Sequence, residues 1–133
     1  MKLAPAVIIH GLPHAQAALA AGCPVTLLSA PGAGAYAGVG WWRALVASAV
    51  SQMPPHTLVD DILDCGAAPG RALEALRAGQ RRLVLRAAAD VYADVAERAA
   101  AEGALVMPEP PLALDLARPG SLRALAAWLA GAA

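Results

Sequence analysis

The side chains that could do chemistry in this sequence lie at the carboxyl ends of short apolar segments, each typical of a buried strand. They are His10, Ser29, Asp64 with the adjacent Cys65, Arg86 and Glu109. The carboxyl ends of parallel strands meet at one edge of a sheet, where such sheets usually bind ligands. We therefore expect these residues to line one cleft, although polar residues also follow strands simply because strands end there.

A second candidate is the glycine-rich segment from Ser29 to Trp42, which contains Gly32 and Gly34. The backbone N–H groups of such a loop, placed before a helix, can hold an anion. Residues 32–37 also fit the G-x-G-x-x-G/A dinucleotide pattern, but they follow the second strand, and no acidic residue lies about 20 positions further on. A flexible structural loop is the preferred interpretation, an anion site the second and a dinucleotide site the third.

The third candidate is the segment Cys65-Gly-Ala-Ala-Pro-Gly-Arg71, a cysteine at a strand end followed by a loop and an arginine entering a helix. It resembles the Cys-x5-Arg signature loop of protein tyrosine phosphatases, and the strand-cysteine-loop-helix layout is similar to that of rhodaneses. The resemblance implies that Cys65 is a nucleophile, that Arg71 holds an oxyanion, and that Gly70 lets the backbone approach the ligand. Gly66, in the same loop, is a further candidate ligand-binding residue. Because Asp64 precedes Cys65, its charge should raise the pKa of the thiol, and a structural role for Cys65 is favoured over a catalytic one.

The elements that must position these residues alternate along the chain. The apolar segments predict five strands at 6–9, 24–28, 61–64, 82–85 and 105–107. Helical patterns and their end signals predict helices beginning near Pro13, Val39, Pro69, Asp90 and Ser121. Asp90 and Ser121 are expected to be the N-caps of their helices. The alternation predicts a single α/β domain over residues 1–133, a three-layer fold with a mostly parallel five-stranded sheet and helices on both faces. A flavodoxin-like strand order 2-1-3-4-5 is the first choice and a Rossmann-like half the second.

Composition limits the partners. The chain has 133 residues, ten basic and ten acidic, with 59% hydrophobic residues and no basic cluster among aromatics, so we expect no nucleic-acid partner. No apolar run reaches the ~18 residues of a membrane span, so no membrane partner is expected. Two cysteines in a domain of this kind favour free thiols and a cytoplasmic location. The apolar excess on a small domain favours a homo-oligomer, most simply a homodimer.

Metal and cofactor binding have weaker support. His10 and His14 stand four positions apart, but no third ligand follows at a recognisable spacing, and we expect no metal site. Asp60, Asp61 and Asp64 form a weaker magnesium hypothesis. No cofactor can be named from the sequence.

Three functions remain open at this point. The first is binding of a small anionic ligand at the carboxyl ends of the strands. The second is a cysteine-dependent phosphatase or sulfurtransferase that uses Cys65 and Arg71. The third is a non-catalytic protein-interaction module.

Overall fold

The structure, a computed structural model, describes residues 3–54 and 59–131. The strands of this part of the chain are β1 Ala6–Ile9, β2 Val25–Ser29, β3 Val59–Asp64, β4 Arg82–Val84, β5 Leu105–Met107 and β6 Ala113–Asp115. Its helices are α1 Leu12–Ala20, α2 Ala33–Tyr36, α3 Val39–Val50, α4 Pro69–Arg77, α5 Ala89–Ala101 and α6 Ser121–Leu129. None of them is both long enough and apolar enough to cross a membrane.

The predicted α/β class with a parallel sheet is confirmed, with two corrections. The sheet has six strands in the order β5-β4-β3-β2-β1-β6, all parallel. The flavodoxin-like order is wrong, because β6 pairs with β1 through Ala6 and Ala113 and β3 follows β2. The run β3-β2-β1 is shared with a Rossmann-like half.

The sixth strand occupies a segment where the sequence predicts only a connection. Ala113–Asp115 has three residues and follows two prolines, so it is too short to show an alternating pattern. Its backbone is instead held by its neighbour, and the Leu116 N–H just beyond it donates to the Ile8 carbonyl at 3.1 Å.

Contacts divide the chain into two compact units, each made of separate segments. The first unit takes residues 1–28, 44–61 and 111–133, and the second takes 29–43 and 62–110. The single-domain organisation stays a prediction.

In the first unit, the strand β1 is almost fully buried, as expected for its continuous apolar sequence. Thr26 ties β2 to the segment before β1, since its N–H donates to the Pro5 carbonyl at 2.9 Å and its hydroxyl to the Ala4 carbonyl at 2.8 Å. The Trp128 indole N–H on α6 donates to the Ala6 carbonyl at 2.7 Å. These bonds satisfy polar groups at the margin of an aliphatic core.

In the second unit, β4 lies between β3 and β5, pairing Leu63 with Leu83 and Leu83 with Val106. Leu63, Leu83 and Val84 are fully buried. The helix α4 adds alanine and leucine side chains to this core, and α5 adds valine and alanine. The helices end before Gly79 and Gly103, as predicted. The same pairings align the carboxyl ends of the three strands.

Several predicted boundaries need correction. The segment expected to be a flexible loop contains α2, and β3 begins at Val59, before the predicted start. The helix α5 is capped by Ala88 rather than by Asp90, which lies in its first turn, and Gly120 rather than Ser121 caps α6. The Ser121 hydroxyl donates instead to the Arg118 carbonyl at 2.7 Å.

Candidate functional site

In the second unit, a buried carboxylate organises the residues at the ends of β2 and β3. Asp64 is 1% exposed, and its Oδ1 accepts a hydrogen bond from the Gly66 N–H at 2.8 Å. The Ser29 hydroxyl accepts a bond from the Asp64 N–H at 2.9 Å and donates to the Ala30 carbonyl at 3.2 Å. Both polar side chains therefore fix the backbone at the strand ends.

Arg86, just beyond β4, connects this cluster with the surface. Its N–H donates to the Gly66 carbonyl at 2.8 Å, and its Nη1 lies 3.6 Å from Oδ2 of Asp64. That separation is too long for a good direct hydrogen bond, and the arginine side chain is 48% exposed. Asp64 thus lies close enough to orient the guanidinium electrostatically, and half of the side chain stays accessible.

Beside Arg86 lies an open cleft of about 650 Å³, within the size range of small-molecule sites. It is lined by Leu85, Arg86, Ala87, Ala88, Ala89, Tyr92, Pro108 and Glu109. The Tyr92 hydroxyl donates to the Val106 carbonyl at 2.8 Å, which holds its ring in place. Arg86 supplies a cation and Glu109 an exposed carboxylate.

The first turn of α5 borders the same cleft. The helix begins at Ala89, and its first internal bond runs from the Tyr92 N–H to the Ala88 carbonyl at 2.8 Å. The N–H groups before Tyr92 have no acceptor inside the helix, and the helix dipole makes this end electropositive. The cleft thus joins a guanidinium with a helix N-terminus.

The glycines of the predicted anion loop have a packing role. A Cβ on Gly34 would lie 3.0 Å from Sγ of Cys65 and 3.1 Å from the Asp64 carbonyl oxygen, so only glycine lets α2 approach the end of β3 this closely. Gly66 has a φ of +58°, and a Cβ there would lie 3.3 Å from Cα of Gly32. The dense packing around Gly34 explains why a segment so rich in glycine is ordered here.

The cysteine loop has an environment that does not favour nucleophilic chemistry. The Cys65 side chain is fully buried. Burial, reinforced by the negative charges of Asp64 and Glu74, raises the pKa of its thiol to about 12. Arg71 pairs with Glu74 one helical turn away, at 2.8 Å between Nη1 and Oε1. Gly70 lies in the first turn of α4 with open space beside it.

His10 belongs to the first unit and lies in a different constellation. Its Nε2 is 2.7 Å from Oδ1 of Asp115, at the end of the neighbouring strand β6. Its backbone N–H donates to Nδ1 of His14 at 3.1 Å, and the two rings meet edge to face at 5.6 Å.

Partial burial alone would raise the pKa of Asp115. The hydrogen bonds from the Ala117 N–H and from His10, together with the charges of His10 and Arg118, outweigh it and lower that pKa. The sequence offers no local signal for the contact with His10, since the two residues are 105 positions apart.

The structure brings together only part of the predicted set. Ser29, Asp64, Gly66 and Arg86 form one bonded cluster in the second unit, but of these only Arg86 lines the cleft, together with Glu109. Tyr92 also lines the cleft but is not among the predicted site residues. Its spacing from the buried Val95 on α5 is typical of a core-facing position and gives no signal for a binding role.

Within the described ranges, no group of three or more histidine, cysteine, aspartate or glutamate side chains is arranged to hold a metal ion. No protein-family model matches the chain, and no curated protein matches its sequence.

Proposed function

We propose that the protein binds a small anionic ligand in the cleft beside Arg86. The main support is that the half-exposed guanidinium of Arg86 and the first turn of α5 border the same cleft. A guanidinium offers five N–H donors and binds carboxylate or phosphate oxygens in pairs. A helix N-terminus adds unpaired amide donors and a favourable dipole.

The surrounding charges limit the ligand. Glu109 lines the cleft and Asp90 lies in the first turn of α5, so a bulky polyanion would meet repulsion that a small anion between Arg86 and the helix avoids. The ring of Tyr92 and the alanines of the wall supply apolar surface. A compact monoanion or dianion with a small apolar part fits this cleft best.

The test measures thermal unfolding and calorimetric binding with inorganic phosphate, sulfate and a set of small carboxylates. A ligand at 100 times its Kd should stabilise the folded protein by about 2.7 kcal/mol. Arg86→Gln should abolish that stabilisation. Arg71→Gln is the matched control, because Arg71 is paired with Glu74 and does not line the cleft. Equal stabilisation of the wild type and Arg86→Gln would overturn the proposal, and a loss confined to Arg71→Gln would favour the cysteine-loop hypothesis.

We further propose a cytoplasmic homo-oligomer. Support for self-association comes from exposed large apolar side chains, with Leu112 89% and Leu122 59% exposed in the first unit and Tyr36 72% exposed in the second. Free thiols at Cys23 and Cys65 are in keeping with a reducing compartment. Sedimentation velocity of the wild type and Leu112→Gln tests the association. A monomer at all concentrations would contradict it.

A further inference from the structure

In the first unit, the hydrogen bonds of His10 and His14 determine which ring nitrogen carries the proton when each imidazole is neutral. Asp115 can only accept at Oδ1 when ionised, so a neutral His10 must carry its proton on Nε2, the atom 2.7 Å away. His14 accepts the His10 N–H through Nδ1, so a neutral His14 carries its proton on Nε2. In His10 this leaves Nδ1 as the nitrogen with an available lone pair.

Asp115 is well placed to keep His10 in the tautomer that is protonated on Nε2. Its Oδ1 also accepts the Ala117 N–H at 2.9 Å, and its pKa is lowered, so the carboxylate stays ionised at neutral pH. A carboxylate that holds one imidazole nitrogen fixes the ring and stabilises the cation that forms when the other nitrogen reacts. The side chain of His10 is 36% exposed, so the ring is accessible from solvent.

The chain beyond His10 suits a negatively charged group on Nδ1. Gly11 caps α1, and the first turn of this nine-residue helix contains no acidic residue. Nδ1 is the ring nitrogen nearer to the backbone. Leu12 and His14 in the first turn of α1 supply N-terminal amides, whereas Pro13 between them has none. A phosphoryl group attached to Nδ1 would thus lie at the electropositive end of α1.

We propose that His10 is a phosphoryl-acceptor site, modified on Nδ1 by small phosphoryl donors, with Asp115 as its positioning residue. The Nδ1 lone pair attacks phosphorus and forms the N–P bond, while the bond from phosphorus to the leaving group breaks. With N-protonated phosphoramidate as donor, the nitrogen already carries three protons, and ammonia departs with the electron pair of the broken P–N bond. The proton on Nε2 stays hydrogen-bonded to Asp115, and no oxidant or reductant is needed.

The experiment treats the full chain with phosphoramidate and follows the products by ³¹P NMR and mass spectrometry. A His56→Gln background leaves two of the three histidines. The expected product is the Nδ1-phosphorylated isomer at His10, absent from His10→Gln. His14 serves as the internal control, since its Nδ1 is engaged and any product there should form on Nε2 and more slowly.

Asp115→Asn keeps an oxygen that can accept from the Ala117 N–H but removes the charge. It should slow modification of His10 by about tenfold and leave the rate at His14 unchanged. Long-range ¹H–¹⁵N NMR should show His10 protonated on Nε2 in the wild type and a mixture of tautomers in this variant. Product on Nε2 of His10, equal rates at both histidines, or an unchanged rate in Asp115→Asn would each overturn the proposal.

Discussion

The hydroxyl of Ser29 accepts a hydrogen bond from the backbone N–H of Asp64 at 2.9 Å, 35 positions further along the chain. Both residues are buried, so neither group can exchange this bond for one with water. The same hydroxyl donates to the Ala30 carbonyl. One side chain thus links two backbone segments at the base of the Arg86 cluster.

Removing this hydroxyl should measure its structural contribution. Ser29→Ala leaves the buried N–H of Asp64 without the hydroxyl acceptor, and we expect unfolding to become easier by about 1–3 kcal/mol. Urea unfolding followed by circular dichroism gives the difference. Ser51→Ala is the control, because its hydroxyl bonds to the Ser48 carbonyl at an exposed helix end and should change the stability little. Equal effects of the two substitutions would contradict the assignment.

Two glycines should respond oppositely to alanine. At Gly34 a methyl group would meet Cys65 and the Asp64 backbone at 3.0–3.1 Å, so Gly34→Ala should destabilise by about 1–3 kcal/mol. Gly70 is exposed in the first turn of α4 with open space around its Cβ position. Gly70→Ala should therefore be neutral or stabilise by up to about 1 kcal/mol. Thermal unfolding measures the change in stability of both variants. A neutral Gly34→Ala would show that α2 can shift away from β3.

Cys65 should be chemically inert near neutral pH. Because burial and two neighbouring carboxylates raise its pKa to about 12, almost no thiolate exists at pH 7. In a Cys23→Ser background, the rate of alkylation by iodoacetamide should stay very low at neutral pH and rise only in strongly alkaline solution. Cys65→Ser, which retains the partly exposed Cys23, provides the comparison. Rapid alkylation with an apparent pKa below about 7, slowed by phosphate, would restore the nucleophile hypothesis.

Local sequence predicts some of these structural features and not others. Continuous apolar runs predict strands, so β1 and β5 have their predicted bounds, although only Val106 of β5 is buried. The helix α2 contains Gly34 and is capped by Gly32, so local propensity does not predict it. It packs on the end of β3, which is a tertiary effect. The partnership of His10 with Asp115 depends on strand order, and β6 itself gives no local signal. Arg86 and Glu109 each lie two residues beyond a strand, at the strand ends where the apolar runs of the sequence placed them. Their role in ligand binding stays a prediction.

The lowered pKa of Asp115 predicts how stability changes in acid. A carboxyl whose pKa is lower in the folded state contributes stability that is present above its unfolded pKa, here 3.8, and is lost as the pH falls through the folded value. The unfolding free energies of the wild type and Asp115→Asn should therefore differ most above pH 4 and converge as the pH falls below it. Urea unfolding from pH 7 to pH 2.5 measures this. A constant difference between the wild type and Asp115→Asn across this pH range would contradict the assignment.

Asp90 should act in opposite directions on folding and on anion binding. It is the acidic residue in the first turn of α5, where a negative charge stabilises the helix and repels an anion at the same end. Asp90→Asn should lower the stability of the free protein by about 0.3–1 kcal/mol and tighten anion binding by about two- to fivefold at low salt. Both effects should shrink as the salt concentration rises, because screening weakens them.

Calorimetric titration of the wild type and Asp90→Asn with phosphate measures the affinity, and thermal unfolding without ligand measures the stability. Glu97→Gln removes the same charge two turns further along α5 and should change neither quantity appreciably. If Asp90→Asn weakens phosphate binding, or leaves it unchanged while destabilising the helix, the anion does not bind at the N-terminus of α5.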